Sequence, residues 1–228
     1  MTPKIIYMTN IDRRYFMMRK ALEALMADGE MPASSQVIKT EDGSVWSASW
    51  EEKLRGSALV MIRFMGNTIR TKFWTACMHF LSREGIPYYM DAAGSAEEEC
   101  IERVAAKDIA AMKAYSFYGG LTNYKNLWRY VGALFEEPLH AVEPPSPICW
   151  AGLYHPGMEK KFMTDLSLYE KKFLHPGRPT VGLLFYRDEW IWDDLHYQQA
   201  FIEEAERQGL NVIAVFTNGL PDPKLGMP

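Results

Sequence analysis

The strongest constraint on the fold is an alternation of short uncharged apolar runs with helical stripes. Ala58 to Ile62 reads Ala-Leu-Val-Met-Ile. A strand that is apolar at every position needs cover on both faces, as in a parallel sheet. Lys4 to Met8 gives a short apolar strand signal, followed by Tyr15, Met18, Leu22 and Leu25 at helical spacing. Gly29 then suits the left-handed residue that closes a helix. Val37–Lys39 reads as a short strand. After the central run, Ile69, Phe73, Ala76 and Phe80 form a stripe ending at Gly85, and Ile86–Met90 reads as the next strand. Strand, helix, strand repeated over residues 4–90 predicts a wound parallel sheet with right-handed crossovers.

Ser95 with Glu98 then forms a capping-box pattern ahead of Ile101, Val104, Ala105, Ile109 and Met112, which predicts a helix from about residue 95. Gly119-Gly120 interrupts it, and Tyr124, Leu127, Trp128, Val131, Leu134 and Phe135 give a second stripe, completing a helical hairpin. Residues 138–147, PLHAVEPPSP, cannot continue a helix because proline lacks the amide hydrogen and restrains its predecessor. Beyond them, Phe162–Phe173 is predicted helical and Thr180–Tyr186 extended. A helix follows over Asp194–Gln208, with Asp193 as N-cap and Gly209 as C-cap, and then a strand over Val212–Phe216. The fold class is therefore α/β: a wound parallel-sheet region with a helical hairpin over 1–137, a linker over 138–150, and a second βαβ region over 151–228. Two strands cannot bury both faces of a sheet, so the second region is read as incomplete, the front of something larger.

Composition narrows the function. Net charge is -4 and basic residues cluster only in pairs such as Arg13-Arg14, which argues against a phosphate-neutralising nucleic-acid face. Neither a signal-peptide pattern nor an apolar run approaching the ~20 residues of a membrane span occurs, so a cytoplasmic location is expected. Cys77, Cys100 and Cys149 form no CxxC pair and read as reduced thiols. The sequence contains no GxxxxGK[ST], HExxH or GxSxG; Gly119-Gly120 lacks the context of a dinucleotide fingerprint, and the five histidines lack ligand spacing. No metal site, resident cofactor or catalytic residue is assigned.

What remains is chemistry at the carboxyl ends of strands, where open α/β sheets bind ligands. Asn10, Asp12, Arg13 and Arg14 follow the first strand, Arg63, Gly66, Asn67 and Arg70 the central one, and Arg187 and Asp188 the later one. Arginine forks there suit an anion. Trp190 and Trp192 add flat surfaces for a large ring, although most aromatic residues at such positions are core.

Three segments, PPSPICWAGLYHP (144–156), PTVGLLFYR (179–187) and DDLHYQQAFIEEAERQGLNVIAVFTNGL (193–220), together resemble the large, tetrapyrrole-binding subunit of the cobaltochelatase and magnesium chelatase family. The likeness extends to GSALVMIRFMG (56–66), GIPYYMD (85–91) and YGGLTNYKNLWRYV (118–131). It implies the N-terminal part of a much longer ATP-dependent chelatase subunit that works with two ATPase-type partner subunits to insert a divalent metal into a tetrapyrrole. Most of that family's catalytic core lies in regions beyond those matched, so the segment alone is not expected to catalyse. The strand PTVGLLFYR is similar to the cobalt branch, and so to cobalamin biosynthesis; His196-Tyr197 and FTNGL are similar to the magnesium branch. A docking or small-anion-binding module is the alternative of a different class. The residues assigned to ligand binding are Arg63, Asn67, Tyr154, His155, Tyr186 and Arg187, and the resemblance also marks Gly66, Gly119, Gly120, Asn123, Asn126 and Pro156. His155 is open to three roles: metal ligand, donor to a ring carboxylate, or cap of the turn at Pro156.

Overall fold

In a computed structural model describing residues 3–41, 44–65, 72–93, 95–158 and 162–217, the apolar runs of the first half become neighbouring parallel strands. The elements of this half are β1 (Ile5–Thr9), α1 (Asp12–Ala27), β2 (Gln36–Lys39), α2 (Ala48–Leu54), β3 (Leu59–Met65), α3 (Lys72–Glu84), β4 (Tyr88–Ala93), β5 (Ser95–Glu102), α4 (Ala106–Tyr118) and α5 (Gly120–Ala133). Strand order is β2-β1-β3-β4-β5, parallel except for β5. Alternation sorts the side chains. Ile6, Met8, Val60, Ile62 and Phe64 pack with Phe73, Trp74, Cys77 and Phe80 of α3, whereas Tyr7, Met61, Arg63 and Tyr89 lie with Met112 and Ser116 of α4 and Leu127 of α5. Helices on both faces explain why β1 is buried at every position. Gly29 and Gly85 close α1 and α3 with φ of 72° and 68°, values that β-carbon-bearing residues avoid.

The helix expected from Ser95 is corrected. Residues 95–102 are β5, paired antiparallel with β4 in the register Tyr88↔Glu102 and Met90↔Cys100. Strand pairing along an open edge overrides the local capping pattern, and Arg103 at φ 59° breaks the stripe before α4 begins at Ala106. Gly119 and Gly120, at φ 71° and 82°, make the sharp corner between α4 and α5.

The chain divides into two units, Met1–Ser146 and Pro147–Pro228. Residues 141–149 have neither helix nor strand. The second unit contains β6 (Ala151–Tyr154), α6 (Leu166–Phe173), β7 (Thr180–Tyr186), α7 (Arg187–Ile191), α8 (His196–Arg207) and β8 (Asn211–Thr217). Its sheet runs β6-β8-β7, with β7 parallel and β6 antiparallel to β8. Among the described residues the second region therefore has three strands, one more than the sequence suggested. The helix expected from Phe162 begins at Leu166, where the Asp165 side chain accepts the Leu168 amide at 3.1 Å. Phe162 packs instead against Trp190 and Phe216, and Met163 bridges Leu153. Asp193, expected as an N-cap, has φ 59°, and the cap of α8 is Leu195. No helix among the described residues is long and apolar enough to cross a membrane.

Candidate functional site

In the first unit, Arg63 occupies the carboxyl end of β3, paired in register with Thr9 at the end of β1 and with Asp91 of β4. It is half-buried and borders a void of about 10 Å³ with Tyr7, Tyr89 and Ser116. Asn10, also expected here, ties the strand ends together: its Nδ2 donates to the Met65 carbonyl at 3.2 Å and its Oδ1 accepts the Met65 amide at 2.9 Å. Asp12 pairs with Lys39 at 2.6 Å, and the Arg14 guanidinium lies 5.5 Å from the centre of the Tyr124 ring. This edge thus retains two half-buried arginines close to tyrosines. Gly66, Asn67 and Arg70 lie outside the described residues.

The asparagines marked by the resemblance are framework. Asn123 is 1% exposed; its Nδ2 donates to the Gly119 carbonyl at 2.7 Å and the Ser146 carbonyl at 3.0 Å, while Oδ1 accepts the Ser146 amide at 2.9 Å. Asn126 Oδ1 accepts from Arg129 at 3.2 Å, and Arg129 forks onto both oxygens of Glu30 at 2.6 and 2.7 Å. That pair lines a cavity of about 270 Å³ bordered by Pro3. Pro3 precedes β1, so the cavity lies at the amino ends of the strands, away from Arg63. It also falls short of the ~300 to 1,000 Å³ of pockets that enclose large organic ligands.

In the second unit the expected site residues divide into buried and open. Arg187 is 2% exposed: Nε donates to the Cys149 carbonyl at 2.7 Å, an Nη to the Ile148 carbonyl at 3.2 Å, and the guanidinium sits 5.0 Å from the Trp150 ring centre. The expectation that it turns toward a ligand is corrected, because main-chain carbonyls nearly forty residues upstream in sequence draw the cation inward. Trp190 is likewise core, stacked on Phe216 at 4.4 Å. His155 accepts the Gly157 amide on Nδ1 at 2.9 Å, which assigns the ring proton to Nε2, 2.8 Å from Glu206. With Phe173 stacked on it at 4.0 Å, His155 caps the turn at Pro156. Tyr154 is buried and its hydroxyl accepts from Gln199 at 2.9 Å. The glycine of this motif is sterically required, since a β-carbon on Gly152 would meet the Phe216 ring at 2.8 Å.

Tyr186 is different. It ends β7 and is 66% exposed, and Leu184 on the same face is 72% exposed. Sequence reasoning singled out Tyr186 but missed Leu184, because an apolar strand residue reads as core. Burial pushes the Tyr169 hydroxyl up to about 12, where it spans the Tyr154 and Val212 carbonyls at 3.2 and 3.0 Å. Among the described residues, no group of three or more His, Cys, Asp and Glu side chains is placed to hold a metal ion.

A family model described as CobN/Magnesium Chelatase matches residues 113–226, half of the chain. An uncharacterized protein of Methanocaldococcus jannaschii is 33% identical over 107 residues, covering 46% of this chain and 9% of its own length. A magnesium-chelatase subunit of Cereibacter sphaeroides is 29% identical over 110 residues, 46% of this chain and 9% of that protein. The aerobic cobaltochelatase CobN of Sinorhizobium is 29% identical over 133 residues, 54% of this chain and 10% of that protein. The matched segments thus span about a tenth of the length of these curated relatives. A solved structure, the catalytic subunit of cobaltochelatase from Mycobacterium tuberculosis, superposes with a TM-score of 0.57 over 98% of this chain and 17% of that one; at 15% identity the likeness is one of fold.

Proposed function

This chain belongs to the CobN/Magnesium Chelatase family, and on that premise we propose that it is the tetrapyrrole-handling portion of an ATP-dependent metal chelatase large subunit, serving cobalt insertion in cobalamin biosynthesis. The observation that carries the reading is the family match over residues 113–226, which takes in α5 and all described strands of the second sheet. The cobalt branch rests on the strand PTVGLLFYR; magnesium insertion is the reading it displaces.

The chain's own contribution is to bind and orient the ring. Arg63, at a strand end, offers a guanidinium to a ring carboxylate, and Asn67 follows it in sequence. The second unit, taken by itself, offers the exposed aromatic face of Tyr186 as a surface for a planar macrocycle. Tyr154, His155 and Arg187 hold the framework that fixes the end of β7 and its surroundings. Metal is the substrate, and the ATP-driven step belongs to partner subunits.

The test is a fluorescence or calorimetric titration of the chain with a metal-free corrin precursor and a metal-free porphyrin. A charged hydrogen bond contributes ~1.5 to 3 kcal/mol, so Arg63→Ala should weaken binding at least about tenfold. Lys171→Ala, on the exposed side of α6, should leave it unchanged. Tighter binding of the corrin ring supports the cobalt branch. Absence of saturable binding of either ring, or equal affinity in Arg63→Ala, sinks the reading.

A further inference from the structure

We propose that the outer edge of β7 seats one more parallel β-strand, contributed by the remaining polypeptide of a chelatase large subunit. This rests on the family reading above but not on ring binding.

β7 reads Thr-Val-Gly-Leu-Leu-Phe-Tyr, with no charge and no proline. It is nevertheless the last strand of its sheet among the described residues. Edge strands are ordinarily blunted by lysine, proline or a bulge, because an open row of amides and carbonyls recruits other strands. β7 has none of these devices within its span. Leu184 and Tyr186 are largely exposed on one face, and a β-carbon placed on Gly182 between them and Thr180 would meet nothing within 4 Å.

The first unit shows how such a strand is completed. There β1, α1 and β2 form the same parallel unit as β7, α8 and β8. The other side of β1 is filled by β3, parallel, from Ile5↔Leu59 to Thr9↔Arg63. With both edges and both faces covered, β1 is buried at all five positions, while β7, equally apolar, alternates between exposed and covered. β7 has the sequence of an interior strand in an edge position. The matched segments, 107 to 133 residues long, make up only 9 to 10% of the relatives, which leaves ample polypeptide to supply the neighbour. A second copy is the poorer occupant, since a two-fold axis would offer its β7 antiparallel, whereas the first unit fills this slot in parallel.

The experiment measures amide exchange of the 228-residue chain alone and mixed with the Sinorhizobium cobaltochelatase CobN from which the matching segment has been deleted. In the chain alone, amides on the open side of β7 should exchange quickly while β8, paired on both sides, is protected. Addition of the deleted CobN should slow the β7 amides at least tenfold. Leu184→Asp should abolish that slowing; Tyr197→Asp, 87% exposed on α8, should not. Four results overturn the proposal: no slowing of the open-side β7 amides, equal loss in Tyr197→Asp, open-side β7 amides already protected in the monomeric chain, or a dimer of the chain alone that Leu184→Asp dissociates. None of these depends on tetrapyrrole affinity.

Discussion

Arg187→Met separates framework from ligand contact. The guanidinium is 2% exposed and donates to the Cys149 and Ile148 carbonyls at 2.7 and 3.2 Å. Hydrogen bonds to charged groups contribute ~1.5 to 3 kcal/mol each. The longer bond falls at the weak end, and methionine keeps much of the packing against Trp150, so the loss should be about 3 kcal/mol, roughly a hundredfold in the opening equilibrium. A single melting temperature is ill-defined for a chain of two units. The assay is therefore residue-resolved amide exchange, in which protected amides of β7 and β8 should speed up about a hundredfold while β1 and β3 are unchanged. Unchanged exchange accompanied by tenfold weaker ring binding would refute the framework role and make Arg187 a ligand contact.

The other expectations concern groups whose environments are equally explicit. The hydrogen bond from Arg129 holds the Glu30 carboxyl below its usual 4.5. The stability it contributes is present above the unfolded-state pKa and is lost as pH falls through the lower folded value. Glu30→Gln should flatten that acid limb, and Arg129→Met should cost about 2 to 3 kcal/mol by leaving a 5%-exposed carboxylate without its fork, as read by acid titration of exchange in the first unit. Burial pushes Tyr169 and Tyr130 up to about 12, with Asp108 adding to the shift at Tyr130. Stability from each is present below the unfolded value of 10.0 and lost as pH rises through about 12, so absorbance titration should show these phenols ionising late, and Tyr169→Phe should remove one late step. His155→Ala should cost about 3 kcal/mol through the Gly157 and Glu206 bonds and the Phe173 stack, with partial recovery in His155→Asn, whose amide oxygen stands near the Nδ1 position.

What was legible in the sequence is what local chemistry decides. Thr180–Tyr186 was bounded correctly because apolar β-formers follow Pro179, and Gly29, Gly85 and Gly209 marked helix ends because each takes a positive φ. β6 escaped notice: Ala-Gly-Leu-Tyr is short and lacks a strand signature, and it exists because β8, some sixty residues later, pairs with it. The pattern at Ser95 misled because helix capping and an edge strand compete for the same residues, and β4 decides the outcome. The position of Arg63 toward the carboxyl end of β3 was legible because the apolar run before it ends in a charge. The burial of Arg187 was illegible because its acceptors are main-chain carbonyls, which carry no side-chain signature.

Several residues in the segments that carry the resemblance build a scaffold. Gly152 makes room for Phe216, Tyr154 accepts from Gln199, His155 fixes the turn at Pro156, and Arg187 anchors residues 148 and 149. Tyr186, the ring contact proposed for the second unit, is instead left turned outward at the end of β7. A strand added beside β7 would change what Tyr186 is. As the last residue of an edge strand it is an exposed aromatic; as the last residue of an interior parallel strand it would stand at the carboxyl edge of a sheet, where ligands of open α/β folds bind. The proposed strand seat and the proposed ring contact are therefore adjacent uses of one element. Filling the seat should hold Tyr186 more rigidly for the macrocycle, and ring affinity should rise when the added strand is in place.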